Sequence, residues 1–167
     1  MLEQATEESP FRAAALRFVN VIGRNPASDL FERHNPESQI LILAVQAAST
    51  EGTFSVFGCD FPTLDGTAFR DYVDVRNVCL GISSALSFRQ QNPKTSFRFW
   101  NLGSNCPQSV RGVLEAVEKM FDSQLQLEFV ERRDEDLART VADLSLARRE
   151  LSWTANYSFK ESLRTLG

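Results

Sequence analysis

An α/β fold built on a parallel sheet is predicted by two features of this 167-residue sequence. Ala13 to Ile22 is nearly continuous apolar sequence, broken by Arg17 and Asn20, as expected of a strand buried on both faces beneath covering helices. Further along, short strand-like stretches alternate with segments whose apolar residues recur at helical spacing.

Taken in order, Met1 to Glu8 reads as the tail of a helix that Ser9-Pro10 stops, because proline disfavours the helical conformation of its predecessor. The strand Ala13 to Ile22 ends at Gly23, with Asn20 where an open α/β sheet presents ligand-facing residues. Arg24 to Pro36 is loop-like, carrying Asn25-Pro26, Ser28-Asp29 and Asn35-Pro36. Ser38 opens a helix with Ile40, Leu41, Leu43, Ala44, Ala47 and Ala48 on its apolar side, and Gly52 closes it. Thr53 to Phe57 is a short strand, and Asp74 to Gln91 a helix whose buried stripe is Val78, Ile82, Ala85 and Leu86. Phe97 to Leu102 alternates as a strand, Gly103-Ser104-Asn105 turns, and Pro107 stands near the start of the next helix. That helix carries Val110, Val113, Leu114, Val117 and Phe121, the clearest periodic signal in the chain. Leu125, Leu127 and Phe129 mark another strand, followed by the charged loop Glu131 to Asp136. Two short helices finish the chain. Asp143 caps the first, with Leu144, Ala147 and Leu151 inward, and Ser158 with Glu161 forms a capping box for the second. No repeat or long linker divides the chain, so residues 1–167 are expected to form a single domain.

Composition bounds the function. The chain is 43% hydrophobic and 24% charged, with a net charge of −4, as in ordinary soluble globular proteins. A mildly acidic chain has no general attraction for nucleic acid or anionic membrane, so any phosphate it binds must be held by a few placed cations. No apolar run has the length of a bilayer span and the N-terminus lacks the pattern of a secretion signal, so the expected location is the cytoplasm or an organelle matrix. Cys59, Cys79 and Cys106 are odd in number and far apart, suggesting neither disulfides nor a zinc site; they read as small buried residues. The lone His34, in a polar stretch, reads as a loop residue rather than a metal ligand or base.

The organising stretch runs from Val56 to Val75. A short apolar strand leads into a loop with Gly58, Pro62, Asp65 and Gly66, then an Arg70-Asp71-Tyr72 step into a second apolar segment. Two readings are open for Arg70. It holds an anion, to which guanidinium offers two parallel hydrogen bonds, or it forms a structural salt bridge to Asp71 or Asp65.

Ala15 to Gly23, followed by Phe57-Gly58-x-Asp60-x-Pro62-Thr63-x-Asp65-Gly66-Thr67-x-x-Arg70-Asp71-Tyr72, resembles the UDP-glucose 4-epimerases of the extended short-chain dehydrogenase/reductase superfamily. Trp100-Asn101-Leu102-Gly103-Ser104 with Ser109-Val110, and Arg132-Arg133-x-x-Asp136 with Ala142-Asp143 and Ala147-x-x-Glu150-Leu151-x-Trp153, continue the likeness in the family's order. The resemblance implies the C-terminal, substrate-binding lobe of an extended SDR fold, with one or more strands of the parallel Rossmann sheet, several helices, and the cofactor-binding half missing.

By the same resemblance, Arg70 and Arg133 match the arginines that grip a diphosphate, and Asn20 an asparagine near phosphate and sugar. Val56 and Phe57 match the strand whose backbone and aromatic ring meet uracil, and Asp136 the carboxylate that accepts from ribose hydroxyls. For Val56 and Phe57 the rival reading is plain core, and for Asp136 a solvated charge. Gln39 stands where the family has an asparagine that contacts phosphate, Asp74 replaces a histidine, and Thr140 falls where a tyrosine often contacts the sugar.

The family's Gly-x-x-Gly-x-x-Gly turn, which receives the cofactor's pyrophosphate, has no counterpart here; nor has its tyrosine with a lysine four residues on, since Tyr72 is followed by Arg76 and Tyr157 by Glu161. Met1-Leu2-Glu3-Gln4 resembles the helix just beyond that pair. The expectation is therefore a UDP-sugar-binding portion of a 4-epimerase with no catalytic or metal-binding residues of its own. NAD is expected only in a full-length enzyme, and a protein partner or the missing N-terminal half completes the fold. The alternative is a degenerate homologue serving as a structural or interaction subunit.

Overall fold

The computed structural model describes residues 2–7, 11–27, 35–50 and 52–166. The helices are α1 (Leu2–Glu7), α2 (Ile40–Thr50), α3 (Val75–Gln91), α4 (Val110–Phe121), α5 (Ser145–Leu151) and α6 (Phe159–Arg164). The strands are β1 (Ala13–Phe18), β2 (Asn20–Ile22), β3 (Thr53–Phe57), β4 (Phe69–Arg70), β5 (Tyr72–Asp74), β6 (Phe97–Leu102), β7 (Gln108–Ser109), β8 (Gln126–Val130) and β9 (Arg139–Thr140). Ser9-Pro10, Ser28-Asp29 and His34 lie outside the described residues.

Pairing is mostly parallel. β1 pairs with β6, β2 with β5, and β3 with β8, each in parallel; β4 lies between antiparallel β7 and parallel β9. The apolar run from Ala13 to Ile22 is thus not one strand. It breaks at Val19 and changes partners, so that β1 lies beside β6 and β2 beside β5. Nor is β1 covered on both faces: Ala14 and Arg17 are exposed, and Phe18 keeps 45% of its surface. Among the described residues it has a strand on one edge only, and half a sheet's shelter follows.

Two apolar cores flank β5. Tyr72 joins Leu41, Phe54, Val113 and Leu163 from α2, β3, α4 and α6, whereas Val73 joins Trp100, Leu102, Leu151 and Trp153 around α3, β6 and α5. Successive strand residues point to opposite faces, so two neighbours in sequence serve separate cores.

α3 shows where apolar spacing misleads. Ile82 and Leu86 are 42% and 61% exposed, and the inward positions are Asn77, Val78, Gly81 and Ala85. Asn77 is there because its side chain is bonded at both ends: Oδ1 accepts from the amides of Asn156 (2.8 Å) and Tyr157 (3.1 Å), while Nδ2 donates to the Tyr157 carbonyl at 2.9 Å. Gly81 is there because a Cβ would fall 2.4 Å from Leu102 Cδ1. The three cysteines are exposed rather than buried, Cys59 and Cys106 outside the helices and strands and Cys79 on the outer side of α3.

The termini of the helices follow the local sequence. Ser109 caps α4 by accepting from the Gly112 amide at 3.0 Å, which places Pro107 two residues outside the cap. Asp143 accepts from the Ser145 amide at the entry of α5, although Leu144 is the cap residue. Ser158 and Glu161 form the expected capping box of α6.

Asp74 caps α3 and ties it to α6. Burial pushes its carboxyl up, but hydrogen bonds from the Arg76 guanidinium, the Ser162 hydroxyl and the Arg76 amide together hold it below the ordinary 3.8. A carboxylate depressed in the folded state contributes stability that is present above its unfolded pKa and lost as pH falls through the folded value. Melting temperature should therefore drop more steeply for the wild type than for Asp74→Asn between pH 6 and pH 3; parallel curves would show that this carboxylate does not couple folding to protons.

Candidate functional site

A cavity of about 400 Å³ opens between β2, the entry to α2, the ends of β3 and β4, and the loop after β8. Its walls include Asn20, Ser38, Gln39, Ser55, Phe57, Arg70, Tyr72, Arg133 and Asp136. Six of the eight sequence-nominated residues thus meet around one space. The other two are not among its walls: Val56, expected to act through its backbone, is 2% exposed with its side chain in the core, and Thr140 lies exposed on β9.

Strand register explains the convergence. Phe57 pairs with Val130 at the ends of β3 and β8, so the charged loop that follows brings Arg133 over the Phe57 ring, its guanidinium carbon 4.3 Å from the centroid. The loop then turns through the Asp136 amide, which donates to the Arg133 carbonyl at 3.1 Å, and enters β9 beside β4. Arg70 is met by that turn. Its Nη2 donates to Asp136 Oδ1 at 3.1 Å, and its Nη1 donates to the carbonyls of Leu137 (2.6 Å) and Phe69 (3.0 Å).

Neither acid nominated as a structural partner of Arg70 is used. Asp65 accepts instead from the amide and hydroxyl of Thr67, at 2.9 and 2.8 Å. Asp71 turns away from the cavity and accepts from Ser104, Asn105 and Ala142. The alternation is that of extended chain, with Arg70 and Tyr72 toward the cavity and Asp71 behind.

Tyr72 is the wall residue that sequence reasoning passed over, having weighed it only as half of a Tyr/Lys pair. It is 2% exposed, its hydroxyl has no hydrogen-bond partner among the described residues, and burial pushes its phenol up to about 12, with Arg70 pulling the other way. An unpaired buried hydroxyl costs roughly 1–3 kcal/mol, so it stays a neutral donor that an entering ligand would satisfy. Its place two residues after Arg70 on an extended segment was the available signal.

At the entry to α2, Glu37 accepts from the amides of Ser38 and Gln39, both at 2.8 Å, so a carboxylate already stands at this helix start. Asn20 donates through Nδ2 to the Asp71 carbonyl at 2.9 Å, which fixes its side chain at the mouth of β2. The result is a half-apolar cavity with two guanidinium groups, one carboxylate paired to one of them, an aromatic face and a neutral phenol. Such a set can hold a dianionic group beside a flat heterocycle and hydroxyls.

Gly58 and Gly66 adopt φ of +78° and +77°, but a Cβ at either would strike Phe61 or the Cys59 carbonyl, so both serve tight local turns. No group of three or more His, Cys, Asp or Glu among the described residues is placed to hold a metal ion, and no helix is long and apolar enough to cross a membrane.

Residues 1–103 match the model of the NAD dependent epimerase/dehydratase family. A UDP-glucose 4-epimerase of Bacillus subtilis is 33% identical over 168 residues, covering 96% of this chain and 49% of the relative. Among solved structures, UDP-glucose 4-epimerase from Stenotrophomonas maltophila with bound NAD and formylated UDP-arabinopyranose superposes with a TM-score of 0.86 at 31% identity, covering 98% of this chain and 48% of that one. The Bifidobacterium longum enzyme in complex with NAD+ and UDP gives 0.85 at 26% identity, with coverages of 98% and 49%. The chain spans about half the length of the curated relatives it matches.

Proposed function

The chain belongs to the NAD dependent epimerase/dehydratase family and has the α/β fold of the C-terminal half of an extended short-chain dehydrogenase/reductase; from that premise we propose that its cavity seats the UDP portion of a nucleotide sugar. The observation that carries the proposal is the convergence of Arg70, Arg133, Asp136, Phe57 and Tyr72 on one space. The diphosphate lies between Arg70 and Arg133 and takes the fork of Arg70 now shared with Asp136. Asp136, released, accepts from ribose hydroxyls, and the uracil lies near the end of β3. Tyr72 donates to a phosphate oxygen.

The activity of the whole protein is proposed as 4-epimerisation of a UDP-sugar, with residues 1–167 acting as a single substrate-binding domain. The redox step belongs to NAD, and no residue described here is assigned to hold it. A second lobe, in the same polypeptide or another, is proposed to cover the open edge of β1, which the exposure of Phe18 supports.

Calorimetric titration with UDP and UDP-glucose tests the reading. The wild-type chain should bind UDP, and Arg133→Ala should weaken it about three- to tenfold, the modest loss expected of an exposed cation stacked on a ring. Heatless titrations of the unaltered protein would reduce it to a scaffold.

A further inference from the structure

A second cavity, of about 390 Å³, lies between α4 and α6. Met120, Phe159 and Leu163 line it with apolar surface, and Lys119, Lys160 and Arg164 stand among its walls without any acid. Two of the nearby carboxylates have other partners: Glu118 accepts from the Leu125 amide at 2.9 Å, and Glu161 closes the capping box with Ser158. Lys119 and Lys160 form no ion pair with a described residue. In a chain of net charge −4, three cations around an apolar hollow are a local reversal of sign.

This hollow stands back to back with the first. Phe159 packs on Tyr72 with ring centroids 5.5 Å apart, and Tyr72 lines the nucleotide cavity. Gln108, in the wall of the second cavity, is the β7 partner of Arg70, in the wall of the first. α4 spans both, contributing Val110 to one and Met120 to the other.

We propose that this second cavity is a binding site for a small free anionic amphiphile, a single-tailed carboxylate with its chain on Met120, Phe159 and Leu163 and its head at the lysines. Its occupancy alters the nucleotide cavity through the Phe159–Tyr72 contact. The volume suits a small molecule rather than a folded partner, and the cations select the negative head. The coupling, though not the site itself, rests on the nucleotide reading given above.

The test is calorimetry with decanoate below its micelle concentration, against decan-1-ol and against the double variant Lys119→Glu/Lys160→Glu. Both lysines are exposed, so the variant keeps the fold. Decanoate should bind one to one and lose at least tenfold in affinity on the double variant; equal binding by the variant, equal binding of decan-1-ol, or none at all overturns the site. UDP affinity should change about fivefold or more when decanoate is present, and decanoate affinity by the same factor when UDP is present, as reciprocity requires. Unchanged affinities overturn the coupling, whereas failure of UDP to bind in any arm overturns the nucleotide reading and leaves the decanoate result standing.

Discussion

Arg70→Ala is expected to weaken UDP binding about ten- to one-hundred-fold, the largest loss of any single substitution in the nucleotide cavity. Hydrogen bonds to charged groups contribute about 1.5–3 kcal/mol each, and 1.4 kcal/mol is a factor of ten. Arg70 is already oriented for this work: the Leu137 carbonyl at 2.6 Å and the Phe69 carbonyl at 3.0 Å hold Nη1, leaving Nη2 on the side of Asp136. A guanidinium fixed by its own backbone loses little freedom when an anion arrives. Truncation also leaves Asp136 as an uncompensated negative charge beside the diphosphate.

Folding should be affected far less. Arg70 and Asp136 keep 23% and 29% of their side-chain exposure, so water can replace the lost partner, and the cost should stay near 1 kcal/mol. Calorimetry and thermal melts on the same preparation separate the two effects. Arg70→Lys should fall between wild type and Arg70→Ala, since a point charge survives but the fork does not. UDP affinity unchanged in Arg70→Ala would remove this arginine from the site.

What could be read from the sequence was what local chemistry decides. The bounds of β3 and β6 coincide with the short strand Thr53–Phe57 and the alternating stretch Phe97–Leu102, and the α6 capping box stands as Ser158 and Glu161 imply. The apolar face of α4 is likewise the one its spacing gives, with Val113, Leu114 and Val117 buried. The misreadings arise where tertiary partners decide. Whether Ala13 to Ile22 is one strand or two depends on β5 and β6, which lie more than fifty residues away in the chain. α3 turns Asn77 inward because residues 156 and 157 return to meet it, and no apolar periodicity records that.

The site divides along the same line. Arg70, Arg133, Asp136, Phe57, Gln39 and Asn20 were nominated from motif order and share a cavity. Thr140 came with the same motifs but lies outside these walls, and Val56, nominated through its backbone, turns its side chain into the core, since neighbours along a strand alternate faces. The mate of Arg70 also depended on register: Asp136 reaches it only because β9 lies beside β4.

Asp71→Ala should produce the opposite imbalance, a large loss of stability with little change in nucleotide affinity. The Asp71 residue is 1% exposed, and its carboxylate accepts from the Ser104 amide (3.0 Å) and hydroxyl (2.5 Å), the Asn105 amide (3.3 Å) and the Ala142 amide (3.4 Å). These bonds pin the turn after β6 and the segment between β9 and α5 beside β5. Gly103 is part of the device, because a Cβ there would lie 2.5 Å from Asp71 Oδ2. Truncation leaves three partly buried amides without their acceptor, and at about 1–3 kcal/mol for each donor left unsatisfied the loss should come to roughly 3–5 kcal/mol. At about 2–4 °C per kcal/mol for a chain of this size, the melting temperature should fall by roughly 6–20 °C. Since the carboxylate faces away from the cavity, UDP affinity measured well below that temperature should change less than about threefold, an amount worth under ~0.7 kcal/mol. A melting temperature within a degree or two of wild type would mean that water satisfies these amides unaided. Lost nucleotide affinity in a stable Asp71→Ala protein would mean that the two faces of this short extended segment are not independent, and the loss in Arg70→Ala could then no longer be assigned to a direct contact.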